Sequence, residues 1–250
     1  MKISLVLSGG AARGAFHLGV LQALDERGIE IEAISGSSIG AIIGTSYACG
    51  VSPKKQLEIF RSSEFKKAFK FSFFDKGLFS IDKKVAIINE LVPIKKLEDL
   101  KIDMHITTID LVSGHVMSFD KGDAKTLCIA SASLVPLFKP VSYQGYELVD
   151  GGIMDNLPLD VLLKYNNPIF GVDLHPMQKG FKNSLSGIIK RSMFLMWRAS
   201  VQEKIEKCDL YISDDKLSDF SLFSFKKLQK LFDLGYERAS SLIDAYAKEE

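Results

Sequence analysis

The chain has 250 residues, enough for one large α/β domain or two small ones, and its 46% hydrophobic and 25% charged residues exclude a disordered or fibrous protein. A net charge of +1 gives no overall pull toward nucleic acid, so no nucleic-acid partner is expected. Cys49, Cys128 and Cys208 are odd in number and form no C-x-x-C, which argues against a disulfide framework or a zinc site and leaves a reducing, cytoplasmic compartment as the expectation.

Residues 3–8 read as a buried first strand; the apolar N-terminus is too short for a signal-peptide core. Residues 12–27 read as a helix ending near Gly28, residues 31–35 as a second strand, and residues 38–49 as an apolar helix stopped by Gly50. Strand, helix, strand, helix in fifty residues is a βαβα start, which implies a parallel sheet with right-handed crossovers. Residues 53–70 look helical and basic, residues 103–119 alternate like a hairpin, and residues 123–132 form a short helix. A strand at 168–173, a long helix at 183–207 and a strand at 208–213 follow. The last segment spaces Leu228, Leu231, Phe232, Ala239, Leu242, Ile243 and Tyr246 as one apolar helical face. No apolar run approaches the length of a membrane span, so any membrane contact would be peripheral.

Three constellations carry chemistry. Gly9-Gly10-Ala11-Ala12-Arg13-Gly14 joins the first strand to the first helix and offers bare backbone N–H groups at a helix start. It could cradle a dinucleotide, but Ala11 breaks the glycine spacing and the second strand ends without an acidic ribose ligand. The other reading is an oxyanion hole, and the proximity of Ser38 favours it. Gly36-Ser37-Ser38-Ile39-Gly40 is a G-x-S-x-G turn that would lift the Ser38 hydroxyl on a tight strand-to-helix corner. A serine here could also be a plain helix N-cap, although capping alone would not need both Gly36 and Gly40. Asp150-Gly151-Gly152 offers a carboxylate on a tight backbone, followed by Asp155 as a cap or turn residue and by a helix from Pro158. Of the histidines, His175 could complete a triad order Ser38, Asp150, His175. The serine comes too early in the chain for that fold, so His17, His105, His115 and His175 read as structural and a Ser–Asp pair as the working chemistry.

Taken jointly and in this order, the motifs resemble the patatin-like phospholipases, particularly small bacterial single-domain members, over roughly residues 3–173. The stretch Ala130-Ser131-Ala132-Ser133 with Pro136, Phe138 and Pro140 resembles them too. The resemblance implies a three-layer α/β/α sandwich with a central, mostly parallel sheet, one domain over 1–250 with a helical part at 183–250. It implies Ser38 as nucleophile and Asp150 as base. Gly9, Gly10, Ala11 and Ile39 would supply oxyanion N–H donors, with Arg13, Gly14, Gly36, Gly40, Gly151 and Gly152 in support. Alanine at 11, where many relatives carry glycine, keeps an N–H and serves if its φ is negative. The implied activity is hydrolysis of a phospholipid or lysophospholipid ester without metal or cofactor. A thioesterase or general esterase with the same dyad, or a non-catalytic acyl- or nucleotide-binding regulator, are the alternatives. Residues 65–81 interleave Phe65, Phe69, Phe71, Phe73, Phe74 and Phe79 with lysines. They read equally as a lipid-facing lid and as a loop packing its rings into the core.

Overall fold

A computed structural model of the chain describes all residues except 68, 76, 82–85, 178–179, 223–224 and 250; the side chains of 66–86, 193 and 249 also lie outside the description. Its elements in chain order are β1 (Lys2–Leu7), α1 (Ala15–Glu26), β2 (Glu30–Ser37), α2 (Ile39–Ala48), α3 (Pro53–Arg61), α4 (Ser63–Lys67), β3 (Phe69–Asp75) and β4 (Gly77–Ile81). Then come α5 (Ala86–Leu91), β5 (Asp103–Asp110), β6 (Val116–Phe119), α6 (Ala124–Ser131), β7 (Val141–Tyr143) and β8 (Tyr146–Asp150). The chain closes with β9 (Ile169–Val172), α7 (Leu185–Ile205), β10 (Leu210–Ile212) and α8 (Leu228–Glu249).

The central sheet runs β10-β9-β1-β2-β5-β8-β7, with β6 also paired to β5. β10, β9, β1, β2 and β5 are parallel, while β6, β7 and β8 add antiparallel pairs beyond β5. Strand alternation divides the core into two layers. Leu5, Leu7 and Ile34 face one side with Phe16, Leu24 and Leu231. Val6, Ala33 and Ile169 face the other with Leu157, Leu162 and Val201. The α8 stripe read from sequence is buried at Leu228, Leu231, Phe232, Ala239 and Ile243. It lies against α1 so closely that a Cβ on Gly19 would sit 2.0 Å from the Phe232 carbonyl oxygen, and one on Gly235 2.1 Å from that of Phe16. Only glycine permits this backbone contact.

Three local readings are corrected. Residues 53–70 are not one helix: Ser62 turns extended after α3, α4 is a single short piece, and the alternating Phe69-Lys70-Phe71 enters the β3–β4 hairpin. The helix expected at Pro158 is instead a 3-10 turn over Asp160–Tyr165, ended by left-handed Asn166. The first helix begins with a 3-10 turn at Ala11–Gly14. Whether the aromatics of 65–81 face lipid or core lies outside the described residues, apart from Phe65, which is buried.

Candidate active site

Sheet register brings the site together. β2 is parallel to β5 with Ser37 opposite Thr107, and β8 is antiparallel to β5 with Asp150 opposite Thr108. Ser38, one step beyond Ser37, is therefore level with Thr108 and with Asp150 beyond it. The Ser38 hydroxyl donates to Asp150 Oδ2 at 2.7 Å across 112 positions of sequence. Asp150 is buried, and its second oxygen, Oδ1, accepts the Gly152 N–H at 2.8 Å. Burial pushes its carboxyl up to about 6, against the opposing pull of the Ser38 and Gly152 hydrogen bonds.

Ser38 sits at the corner between β2 and α2 with φ 54 and ψ −123, a conformation that costs an L-residue about 1–3 kcal/mol. It does not cap α2 with its side chain, so the hydroxyl is left to Asp150. The corner is tight because a Cβ on Gly40 would lie 2.3 Å from the Leu7 carbonyl oxygen, and Gly36 packs against Gly40 in turn. The Ser38 N–H is held by Ser131 Oγ at 2.8 Å, and Ser131 donates to the Thr107 carbonyl at 2.7 Å. The small-residue stretch of α6 thus clamps the corner from behind.

The glycine loop after β1 lies beside this corner. Gly9 departs from the expectation of an oxyanion donor: its N–H is already given to Asn156 Oδ1 at 3.0 Å. Ala11 departs from the expected negative φ, standing at 48 in the left-handed region that favours glycine. The N–H groups of Gly10, Ala11 and Ile39 have no acceptor among the described residues. His175 Nε2 approaches the Gly9 carbonyl at 3.1 Å, while its Nδ1 faces Arg13 Nη1 at 3.4 Å. Arg13 can only donate, so Nδ1 accepts and the proton belongs on Nε2. A trans peptide sets C=O and N–H antiparallel, so a Gly9 carbonyl held by His175 aims the Gly10 N–H away from the imidazole. Burial drives His175 down to about 4 and His17 likewise, so both rings are neutral near pH 7. None of the three buried histidines is bonded to Ser38: His175 reaches the Gly9 carbonyl, His17 the Ser8 carbonyl, and His105 pairs with the Tyr165 hydroxyl.

Arg13 is buried and bonds the carbonyls of Phe220 at 2.8 Å and Leu174 at 2.9 Å, pinning the loop to the C-terminal third. Gly14 packs on Ile39, and Gly151 packs on the Thr107 carbonyl. Asp155 is a turn residue, its N–H donating to the Gly151 carbonyl at 2.8 Å, and its carboxylate forms an ion pair with Lys204 of α7 at 2.7 Å. Three further α7 contacts were not legible in the sequence. Trp197 Nε1 donates to the Gly152 carbonyl, its ring stands edge-on to His175 with centroids 4.1 Å apart, and Arg198 forms a buried ion pair with Asp173. No local motif marks these residues, because each matters only through a partner tens of positions away.

A cavity of about 290 Å³ opens at Ser38. Its walls include Ile39, Ile42, Phe60, Leu91 and Phe138, and Lys125 is the one charged side chain among its described lining residues. Among the described residues no cluster of His, Cys, Asp or Glu could hold a metal ion, and no helix is long and apolar enough to cross a membrane.

Comparison with known proteins identifies a family and relatives. The family model described as Patatin-like phospholipase matches residues 5–163. Lysophospholipase NTE1 of Mycosarcoma maydis is 26% identical over an alignment of 290 positions, covering 100% of this chain and 15% of that protein. Lysophospholipase nte1 of Neurospora crassa is 31% identical over 208 positions, covering 75% of this chain and 13% of its own length. The chain therefore spans a small part of these two relatives. Among solved structures, VipD of Legionella pneumophila superposes with a TM-score of 0.58 at 15% identity, covering 98% of this chain and 67% of that one, a likeness of fold.

Proposed function

Because this chain belongs to the patatin-like phospholipase family, we propose that it hydrolyses acyl esters of phospholipids or lysophospholipids through Ser38 and Asp150. The observation that carries the reading is the 2.7 Å hydrogen bond from the Ser38 hydroxyl to a buried carboxylate, at the mouth of an apolar cavity. An acyl chain would lie along the cavity's aliphatic and aromatic wall, and Lys125 supplies a cation for an anionic headgroup.

In the first step Ser38 Oγ attacks the ester carbonyl carbon while its proton passes to Asp150 Oδ2. Negative charge gathers on the former carbonyl oxygen. The N–H groups of Gly10, Ala11 and Ile39 stand free to receive it, and the start of α2 adds the positive end of a helix dipole. Gly9 acts indirectly, since Asn156 and His175 fix the peptide that presents the Gly10 donor. Collapse of the tetrahedral intermediate expels the alcohol, which takes the proton back from Asp150. Asp150 then draws a proton from water as the water oxygen attacks the acyl-enzyme; the second tetrahedral intermediate collapses, Asp150 returns the proton to Ser38 Oγ, and the fatty acid leaves. A carboxyl near 6 is ionised at neutral pH yet more basic than an ordinary aspartate, which suits it to both transfers.

The test is a hydrolysis panel of diacyl phospholipid, lysophospholipid, acyl thioester and short soluble ester, with Ser38→Ala and Asp150→Asn beside the wild type. Turnover of the lipid esters, lost in both variants, is expected. Turnover confined to the thioester would move the substrate class, and activity retained by Ser38→Ala would remove the mechanism.

A further inference from the structure

The two halves of the site ride on loops from separated strands. The Gly9–Gly10 peptide follows β1 and Asp150 ends β8, with β2 and β5 between those strands in the sheet. A reacting group misplaced by about 1 Å can cost about a hundredfold in turnover, so the spacing of these loops matters to the chemistry. One tie between them is direct. Asn156, in the loop that begins at Asp150, accepts the Gly9 N–H at 3.0 Å, and a Cβ on Gly9 or Gly152 would lie 2.6 or 2.7 Å from its Oδ1. The other end of Gly9 is held separately: His175 Nε2 donates to its carbonyl at 3.1 Å, and that carbonyl shares a peptide with the Gly10 N–H. His175 follows β9, on the far side of β1 from Asp150.

Trp197 closes the circuit. Its indole N–H donates to the Gly152 carbonyl, and its ring meets the His175 imidazole edge-on, centroids 4.1 Å apart. The contacts then run from Gly152 through Trp197, His175 and Gly9 to Asn156, and so back to the Asp150 loop. The next residue of α7 secures the same histidine by its backbone. Arg198 pairs with buried Asp173 and donates to the His175 carbonyl at 2.7 Å, while Asp173 Oδ1 accepts the His175 N–H at 2.9 Å. Tryptophan suits the position because it joins an apolar ring to an N–H on its edge, one for the imidazole and the other for the carbonyl. Trp197 is absent from the cavity wall and lies beyond residues 5–163 that the family model matches, so neither substrate contact nor the family motifs account for it. We propose that Trp197 is a positioning residue, a strut that holds the base loop and the oxyanion peptide at one separation so that both meet the substrate together. Its effect on turnover follows from the Ser38–Asp150 reading; the coupling of the two loops stands on these contacts alone.

The experiment compares the wild type with Trp197→Phe, which keeps a ring beside His175 and drops the N–H, and with Trp197→Leu, which drops both. Hydrogen exchange read by mass spectrometry follows the segments bearing the hydrogen-bonded Gly9 and Gly152 amides. Both segments should exchange at least about fivefold faster in Trp197→Leu, and faster together in Trp197→Phe by a smaller factor. On a short soluble ester, kcat per folded molecule should fall about tenfold in Trp197→Phe and about a hundredfold in Trp197→Leu, with KM within about twofold of the wild type. Trp197→Phe should melt within about 4 °C of the wild type, which separates mispositioning from unfolding. Faster exchange confined to the Gly152 segment, or kcat per folded molecule unchanged in both variants, overturns the inference. A wild type that turns over no ester, with the two segments still loosened together in the variants, removes the hydrolase reading and leaves the strut standing.

Discussion

Asp150 links stability and activity with opposite signs. Its carboxyl is displaced from an ordinary 3.8 to about 6 because the anion is buried. A displacement of roughly two pH units corresponds to about 3 kcal/mol. The folded pKa is raised above the unfolded one, so the folded state holds this proton more tightly. The associated stability is complete below about pH 4, declines as pH rises toward 6, and is gone above that. The folded protein at pH 8 thus carries a destabilising carboxylate. Asp150→Asn keeps the shape, still accepts the Gly152 N–H, and removes the buried charge. It should raise the stability at pH 8 by up to about 3 kcal/mol, which for a chain of this size is roughly 6–12 °C in Tm. At pH 4, where Asp150 is itself neutral, the two proteins should melt within about 2 °C of each other. Activity should move the other way, falling by at least about a thousandfold at pH 8 with the loss of the base. Differential scanning calorimetry across pH 4–8 reads the first effect and a soluble-ester assay the second. A Tm difference independent of pH, or a variant less stable at pH 8, would refute the reasoning about burial.

Wild-type kcat/KM should fall about tenfold per pH unit below about pH 6, following protonation of Asp150; a profile flat down to pH 4.5 would contradict its role. Asn156→Ala leaves the buried Gly9 N–H without its acceptor and should lower kcat by about 10- to 100-fold with KM nearly unchanged, read by steady-state kinetics. Arg198→Met strands buried Asp173 without its cation and should cost about 3–5 kcal/mol, read by chemical denaturation. Ala11→Gly relieves a left-handed φ and should leave stability equal or up to about 1 kcal/mol higher, whereas a clear loss would show that the Cβ packs usefully.

How much of this was legible in the sequence depends on whether the cause was local. The βαβα start, the α8 stripe and the corner at Ser38 arise from neighbouring residues, and periodicity or glycine spacing reveals them. The convergence of Ser38 on Asp150 was readable only as two motifs; their approach is set by the register of β5 between β2 and β8, which no local pattern encodes. The hairpin of β7 and β8 that delivers Asp150 escaped notice because its strands are short and its turn, Gln144-Gly145, is unremarkable in sequence. The Gly9 amide looked free because its acceptor, Asn156, lies 147 positions away. Trp197, Arg198 and Lys204 were invisible for the same reason: they act on Gly152, Asp173 and Asp155 across the fold. The alternation at 69–71 is masked in the sequence by the helical basic pattern that precedes it.

The most direct measurement is covalent trapping. The protein is incubated with a fluorophosphonate ester, and intact mass and peptide mapping locate the adduct. The expected result is one adduct, on the peptide bearing Ser38, absent in Ser38→Ala and greatly slowed in Asp150→Asn. An adduct on another residue, or labelling of Ser38 at an unchanged rate without the Asp150 carboxylate, would contradict a Ser38 nucleophile activated by Asp150.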